Sequence, residues 1–393
     1  MLWIFRVLRR LFGPVIGITF GLTVCITSLF GNYIVALFLP MVTMANCHRE
    51  WRQLMDRAIS FWMIIPMFFL KFVYGVKLRI SGDTIDKDAP AIIIMNHRTR
   101  LDWLYFKLAL WRMNPWLMTT YRIALKELLK HAPGIGFGMQ ASTYVFLRRD
   151  VKIDFPRMTR AVAYYADMRP YQILMFPEGT DKTAYTTRRS NEYAKKNGLP
   201  ELNHVLYPRV SGFIHMVNEM KKRNYLTYIY DVTIGYPKDI VQSEVDLVLR
   251  GVCSTHVHYH IRKIPVTELP DTDEGLTDWL HQTWRDKDER LTAFYAQRNR
   301  NRRKLDAGDP GRNVWAQDSW LHSGAIAFGF CFWITVVTTW LWHMTFLTLA
   351  QSSLCFLILN YVYIYGRYGG VDSLLIGRWE VWRKQTSASC LAV

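Results

Sequence analysis

Two long stretches without a charged side chain bracket this sequence, and they constrain the fold more than any other feature. Residues 11–46 contain no Asp, Glu, Lys or Arg, and neither do residues 319–366. A helix of about 20 apolar residues crosses the roughly 30 Å hydrocarbon core at 1.5 Å per residue. The first stretch therefore has room for one anchor, and the second for two spanning helices near residues 324–342 and 346–365. The first is too long for a secretory signal and lacks a clear small-x-small cleavage site, so a retained anchor is expected. A further run, "AISFWMIIPMFFL" at residues 58–70, is short and carries Pro66. Within residues 57–76 it either crosses or lies in the interface.

Charge next to these stretches orients them. Arg6, Arg9 and Arg10 precede the first, "RNRNRRK" at residues 298–304 precedes the second, and Arg367, Arg378, Arg383 and Lys384 follow it. Cations accumulate on cytosolic flanks. Two crossings or one re-entrant hairpin at the N-terminus both return the middle of the chain to the side of Arg6, so every basic flank agrees on a cytosolic middle. Trp320, Trp340, Trp342, Tyr361, Tyr363 and Tyr365 lie near the ends of the second stretch, as amphipathic rings do at headgroup depth. The net charge of +17 favours anionic partners. Beside a span, the polybasic run points to anionic headgroups, and no nucleic-acid partner is expected. The six cysteines include no CxxC pair, and no Asn-x-Ser/Thr acceptor occurs.

In the middle, strand-length apolar runs alternate with helix-like segments, the pattern of an α/β domain. Candidate strands are residues 91–95, 143–147, 172–176, 205–207, 227–234 and 256–264. "DFPRMTRAVAYYADM" and "SGFIHMVNEMKK" have helical spacing. The first candidate strand, "AIIIM", leads into "NHRTRLDW". His97 and Asp102 would sit about 140° apart on one continuous helix, so they meet only if a turn intervenes. With His97 in the loop and Asp102 in the first turn of a helix beginning near Thr99, the carboxylate reaches back to the imidazole. It then fixes the tautomer, and the other ring nitrogen can act as a general base. The competing reading is a capping box, with Thr99 as cap and Asp102 three residues on. "MFPEGTD", residues 175–181, closes a second strand where α/β folds gather ligands, or else makes a tight turn with a solvated Glu.

Together these motifs resemble the glycerophosphate and lysophospholipid acyltransferase superfamily over residues 89–213. The resemblance implies a mixed sheet flanked by helices, with His97 as catalytic base and Asp102 as its orienter. "YVFLRR" resembles the second family block and implies that Arg149 contacts the acceptor phosphate. "FPEGT" implicates Glu178, Gly179 and Thr180 in acceptor binding, and "LYPR" places Pro208 and Arg209 at the fourth block. Many members carry arginine where this sequence has Asp181, and an apolar residue where it has Arg209. Arg209 is therefore expected to compensate, with Arg188 and Arg189 as further anion contacts. "NHRTRLDW", "FPEGTD", "RSN" and "PRVSGF" look most like the lysocardiolipin acyltransferase branch.

The resemblance implies transfer of an acyl group from acyl-CoA, as co-substrate, to the free hydroxyl of an anionic lysophospholipid of lysocardiolipin, lysophosphatidylinositol or lysophosphatidylglycerol type. No metal and no other cofactor are implied. Acylation of lysophosphatidic acid and a non-catalytic lipid-binding scaffold are the alternatives, and a lipase is disfavoured because no G-x-S-x-G occurs. The expected organisation is an anchor at 1–46, a hydrophobic segment and linker at 47–88, and the acyltransferase domain at 89–264. A basic juxtamembrane segment at 265–318, two spans within 319–366 and a cytosolic tail at 367–393 complete it. A multi-pass protein of the endoplasmic reticulum membrane is expected.

Other motifs carry less. His256, His258 and His260 alternate on one strand face and read as packing, with no metal expected. "GIGFG", residues 134–138, reads as a closely packed or flexible loop. Trp279 and Trp284 mark an amphipathic helix. The terminal "CLAV" ends in a residue atypical of prenylation.

Overall fold

A computed structural model of the chain describes residues 2–306, 314–315 and 319–391. They fall into two compact units. One holds residues 1–21, 66–121 and 170–323, the other residues 22–65, 122–169 and 324–393. The strands in chain order are β1 Lys77–Gly82, β2 Ala91–Met95, β3 Tyr121–Lys126, β4 Val145–Leu147, β5 Gln172–Met175, β6 Tyr228–Gly235, β7 His256–Pro265 and β8 Val314–Trp315. The principal helices are α1 Leu2–Phe38, α2 His48–Trp62, α3 Asp102–Met113, α4 Val151–Met168, α5 Ala184–Lys196 and α6 Val210–Lys222. They continue with α7 Glu244–Leu249, α8 Asp273–Ala296, α9 Trp320–His343, α10 Phe346–Leu357 and α11 Val371–Leu391.

In the first unit the strands run in the order β5-β2-β6-β7-β1-β8. β5, β2 and β6 are mutually parallel, β6 and β7 antiparallel, β7 and β1 parallel, and β8 antiparallel to β1. All five residues of β2 are buried, which explains why its sequence is a continuous apolar run without alternation. α8 supports the sheet through buried Leu276, Leu280, Trp284, Leu291 and Phe294, whose spacing makes one apolar stripe. Beneath it Lys287 Nζ pairs with Asp231 and donates to the Val232 carbonyl at 2.7 Å, while Arg262 Nε donates to Asp231 at 2.9 Å. The Lys287 and Asp231 charges are thus satisfied within the core.

The run expected to be a strand at residues 205–207 is not one. Its amides are taken by side chains: Val205 N–H donates to Asp288 Oδ1 at 3.2 Å and Tyr207 N–H to Ser190 Oγ at 2.9 Å. The segment is buried and apolar yet has no ladder to join. β1, with its charged Lys77 and Arg79, was not expected from its pattern.

The second unit contains the parallel pair β3 and β4 and most of the helical mass. Residues 122–169, expected inside one continuous acyltransferase domain, group here. Its core joins Val35, Leu39, Trp51, Met55, Phe137, Val371 and Leu375. Buried Asp56 accepts from both Arg52 and Arg122 at 2.6 Å. "GIGFG" is no loop: Ile135–Ala141 is helical, and Gly134, at φ +73°, sits so close to Ser28 that a Cβ would lie 2.0 Å from its Oγ. The expected tail is mostly the helix α11, whose Val371, Leu374, Leu375 and Trp379 are buried. "CLAV" ends outside the described residues.

Among the described residues three helices are long and apolar enough to cross a bilayer: Phe12–Thr43, Trp320–His343 and Leu347–Tyr368. The chain is a membrane protein. The run at residues 57–76 is not among them. It breaks into the end of α2, a short helix Ile64–Phe68 containing Pro66, and a π-helical turn Phe69–Val73, with Ile64, Ile65, Met67 and Leu70 buried against protein. In the first unit Phe20 packs edge-on against Phe69 and Tyr74 at centroid distances of 5.3 and 6.2 Å. The chain that leaves along α1 has therefore returned by residue 69.

Candidate active site

The parallel strands β5, β2 and β6 end together, and the polar loops at their carboxyl ends build the site. After β2, the Asn96 side chain accepts from Ile234 N–H at 2.8 Å and donates to the Ile234 carbonyl at 3.2 Å, which extends the β2–β6 ladder by one side chain and fixes where the loop departs. His97 and Asp102 then meet across that turn, with Nδ1 3.0 Å from Oδ2. The Asp102 side chain is fully buried, and the His97 side chain is 17 % exposed. Phe176 stacks on the imidazole at 4.1 Å between centroids. With Nδ1 held by the carboxylate, Nε2 is the nitrogen available to take a proton.

Asp102 does two jobs at once. Its Oδ2 also accepts from the Arg98 and Thr99 amides at 2.6 and 3.0 Å, and its Oδ1 from Thr99 Oγ1 at 2.9 Å. The helix begins at Asp102 itself, with Leu101 as its N-cap and no side-chain cap, so Thr99 is not the cap of a capping box; the carboxylate instead closes the turn that precedes the helix.

The loop after β5 grips His97 from the other side. Glu178 Oε1 accepts from His97 N–H at 3.2 Å, and Lys182 N–H donates to the His97 carbonyl at 2.9 Å. Glu178 is 3 % exposed, and burial pushes its carboxyl up to about 8. Gly179 adopts φ +71° and spends its amide on the Phe176 carbonyl at 2.9 Å. A Cβ there would sit 3.3 Å from Arg209 Cδ and Nε. Glu178 Oε1 and the Gly179 amide are thus both engaged by protein groups, the one by His97 N–H and the other by the Phe176 carbonyl.

Thr180 Oγ1 lies 3.5 Å from Asp181 Oδ1, and Asp181 Oδ2 accepts from Gln242 Nε2 at 2.9 Å. Burial raises the Asp181 carboxyl. The Gln242 hydrogen bond and the nearby His97 and Arg100 charges outweigh it and leave the carboxyl below its usual range. Arg209 N–H donates to the Pro177 carbonyl at 2.7 Å, so Pro208 and Arg209 are fastened to the "FPEGT" loop. Arg149 belongs to the second unit, at φ +68° in the turn after β4, with its amide donating to Asp154 at 2.8 Å. The guanidinium groups of Arg188 and Arg189 lie 5.9 Å from the Tyr185 ring on α5.

Residues 77–237 match the family model described as Acyltransferase, and residues 247–312 the one described as Acyltransferase C-terminus. A lysophosphatidylinositol acyltransferase of Caenorhabditis elegans is 45 % identical over 382 residues, 96 % of each chain. The chain belongs to the acyltransferase family. A lysocardiolipin acyltransferase of Danio rerio is 34 % identical over 347 residues, 86 % of this chain and 87 % of its own. A probable 1-acyl-sn-glycerol-3-phosphate acyltransferase of Arabidopsis thaliana is also 34 % identical, over 237 residues, 60 % of this chain and 61 % of its own.

In this acyltransferase, several side chains that support the site carried no motif. Tyr236, fully buried just past β6, donates from its hydroxyl to Asp102 Oδ1 at 2.5 Å. α8 reaches three of the site's loops. Trp284 Nε1 donates to Glu178 Oε1 at 3.2 Å, and Tyr295 OH accepts from Tyr236 N–H at 3.2 Å. Asp288 accepts from the amides of Asn203, His204 and Val205 at 3.0, 2.6 and 3.2 Å. The one available signal was Trp284: a buried indole N–H needs an acceptor. Two of the three β7 histidines have polar neighbours: His260 Nδ1 lies 3.1 Å from Ser81 Oγ and His256 Nε2 lies 3.2 Å from Lys238 Nζ. Burial lowers His258 and His260 to about 4. Among the described residues no three His, Cys, Asp or Glu side chains converge as metal ligands.

Proposed function

We propose that this acyltransferase moves a fatty acyl group from acyl-CoA to the free hydroxyl of an anionic lysophospholipid, of the lysophosphatidylinositol, lysocardiolipin or lysophosphatidylglycerol type. His97 Nε2 takes the hydroxyl proton as the oxygen attacks the thioester carbonyl. Asp102 holds the imidazole and balances its charge. That attack forms the new C–O bond and gives a tetrahedral intermediate, whose collapse restores the carbonyl and breaks the C–S bond, and the proton on His97 passes to the departing coenzyme A thiolate. A thioester is already activated, so this chemistry calls for no metal and no redox cofactor. Arg209, held beside Gly179, is the first candidate to meet the acceptor's negative charge, and Arg149 the second.

The observation that carries this reading is the 3.0 Å contact between His97 Nδ1 and a fully buried Asp102. The relatives aligned along almost the whole chain act, by their names, on lysophosphatidylinositol and lysocardiolipin, and this supports an anionic acceptor. The relative named for 1-acyl-sn-glycerol-3-phosphate aligns over 60 % of the chain. We place the site on the cytosolic face of the endoplasmic reticulum membrane in a multi-pass chain. The basic flanks support that orientation, and so does the return of the chain to Phe20 by Phe69 and Tyr74. Initial rates with labelled oleoyl-CoA over a panel of lysolipids test the substrate class. Fastest turnover of lysophosphatidylinositol or lysocardiolipin is expected. Fastest turnover of lysophosphatidic acid would overturn the acceptor assignment, and no incorporation into any lysolipid would overturn the catalytic one.

A further inference from the structure

We propose that α7, the short helix Glu244–Leu249, is a membrane-docking element that lies at the headgroup and acyl-chain boundary and ties the active-site loop to the lipid surface. This role is separate from the acyl-transfer reading and does not depend on it.

The first observation is a seam of glycines. Gly13, Gly17 and Gly21 recur every four residues along α1, so they share one helix face. A Cβ on Gly13 would lie 2.6 Å from the Arg250 carbonyl oxygen, and one on Gly17 would lie 2.3 Å from the Val248 carbonyl oxygen and 2.6 Å from that of Leu247. On Gly21 it would meet the Val248 side chain at 3.0 Å. The backbone of α7 and of the turn after it therefore rests directly on α1. Gly251, at φ +59°, completes the seam from its own side: a Cβ there would lie 1.8 Å from the Gly13 carbonyl oxygen.

The second observation is depth. The apolar segment Phe12–Thr43 has 32 residues, about 48 Å of helix at 1.5 Å per residue. A bilayer including its headgroup zones is about 40–45 Å thick. The glycine seam occupies the first turns of that segment, so α7 is held where headgroups give way to acyl chains. Phe12, Val15 and Ile18, on the same stretch of α1, are exposed apolar side chains.

The third observation is the outward face of α7 itself. Val245 and Leu249, one turn apart, are 53 % and 59 % exposed, and Leu247 is buried. Arg250 follows, exposed and paired at 3.1 Å with Asp246, with a stem long enough to cover apolar surface while its head stays at phosphate level. Two adjacent aliphatic side chains and a cation suit a lipid boundary.

The link to the site is direct. Gln242, two residues before α7, accepts from Arg100 N–H with its carbonyl at 3.0 Å, and its side chain accepts from Arg98 Nη1 and donates to the Arg98 carbonyl and Asp181 Oδ2. Arg100 also lies 3.9 Å from Glu244. A helix held at the bilayer surface is thus one residue removed from the loop that carries His97 and Asp102.

The test places the photo-crosslinking residue p-benzoylphenylalanine at position 245 or 249 of the full chain in nanodiscs of tritiated phosphatidylcholine and phosphatidylinositol. The control is position 271, where the Asp side chain is 98 % exposed. It lies past the far end of β7, a strand of 10 residues and so about 33 Å long. Lipid label on the protein at 245 and 249 is expected to exceed that at 271 by at least fivefold. Equal yields at the three positions would overturn the proposal. The readout needs no turnover, so a failure of the acyl-transfer reading leaves it interpretable.

Discussion

Tyr236→Phe isolates the support that motif reading did not reveal. In the native site Asp102 accepts from His97 Nδ1, the Arg98 and Thr99 amides, Thr99 Oγ1 and Tyr236 OH. A hydrogen bond to a charged acceptor contributes about 1.5–3 kcal/mol. Removing the Tyr236 hydroxyl leaves Oδ1 with Thr99 Oγ1, so the carboxylate is not orphaned and the fold should survive. The ring, packed edge-on to Tyr105 at 6.1 Å, stays in place. About half of the lost interaction should appear in the barrier, which lowers kcat about tenfold, or about 1.4 kcal/mol, with KM little changed. Purified protein in nanodiscs, assayed with labelled acyl-CoA for kcat and KM alongside its melting temperature, gives every readout. A lower melting temperature with unchanged kcat would show that Tyr236 only packs, and would refute this reasoning.

Glu178→Gln keeps an oxygen for His97 N–H and Trp284 Nε1, so acyl transfer should be largely retained, whereas Glu178→Ala should lose it by more than tenfold. Native Glu178 holds its proton up to about pH 8, against an ordinary value of 4.5. The unfolded chain releases that proton across the window between those values, so stability should fall by about 1 kcal/mol per pH unit as pH rises through it. Thermal melts of Glu178→Gln should lack that slope, and an identical slope in both proteins would refute the assignment. Asp288→Ala strands the three loop amides it accepts from, and should raise KM for the acceptor severalfold and cost about 2–3 kcal/mol of stability by denaturant titration. Arg209→Ala should raise acceptor KM at least tenfold for an anionic lysolipid and change KM for acyl-CoA far less. Equal acceptor affinity in wild type and variant would remove Arg209 from headgroup binding.

What the sequence revealed and what it hid divides along physical lines. β2, β5, β6 and β7 were legible because buried strands demand contiguous apolar residues, and "AIIIM" and "QILM" leave little choice. The His97–Asp102 pair was legible because a turn between a strand and a helix start is the local geometry that brings residues five apart together. Residues 205–207 misled because apolar content says nothing about where backbone amides find partners, and here they find Asp288 and Ser190. β1 was hidden because its exposed end carries Lys77 and Arg79. Tyr236, Trp284 and Asp288 lie 134, 106 and 83 positions from the groups they hold. Contacts between such distant segments leave no periodic trace in a single sequence. The family motif nonetheless pointed to Glu178, whose buried carboxyl group accepts from His97 N–H.

The central claim is that one imidazole, held by one buried carboxylate, removes the acceptor's proton. Incorporation of labelled oleoyl-CoA into lysophosphatidylinositol by purified wild type, His97→Ala and Asp102→Asn, matched for melting temperature, measures it most directly. The account predicts that His97→Ala loses at least a thousandfold of kcat and Asp102→Asn at least a hundredfold, with acceptor KM within a few fold of wild type. Turnover by His97→Ala equal to that of wild type would contradict it.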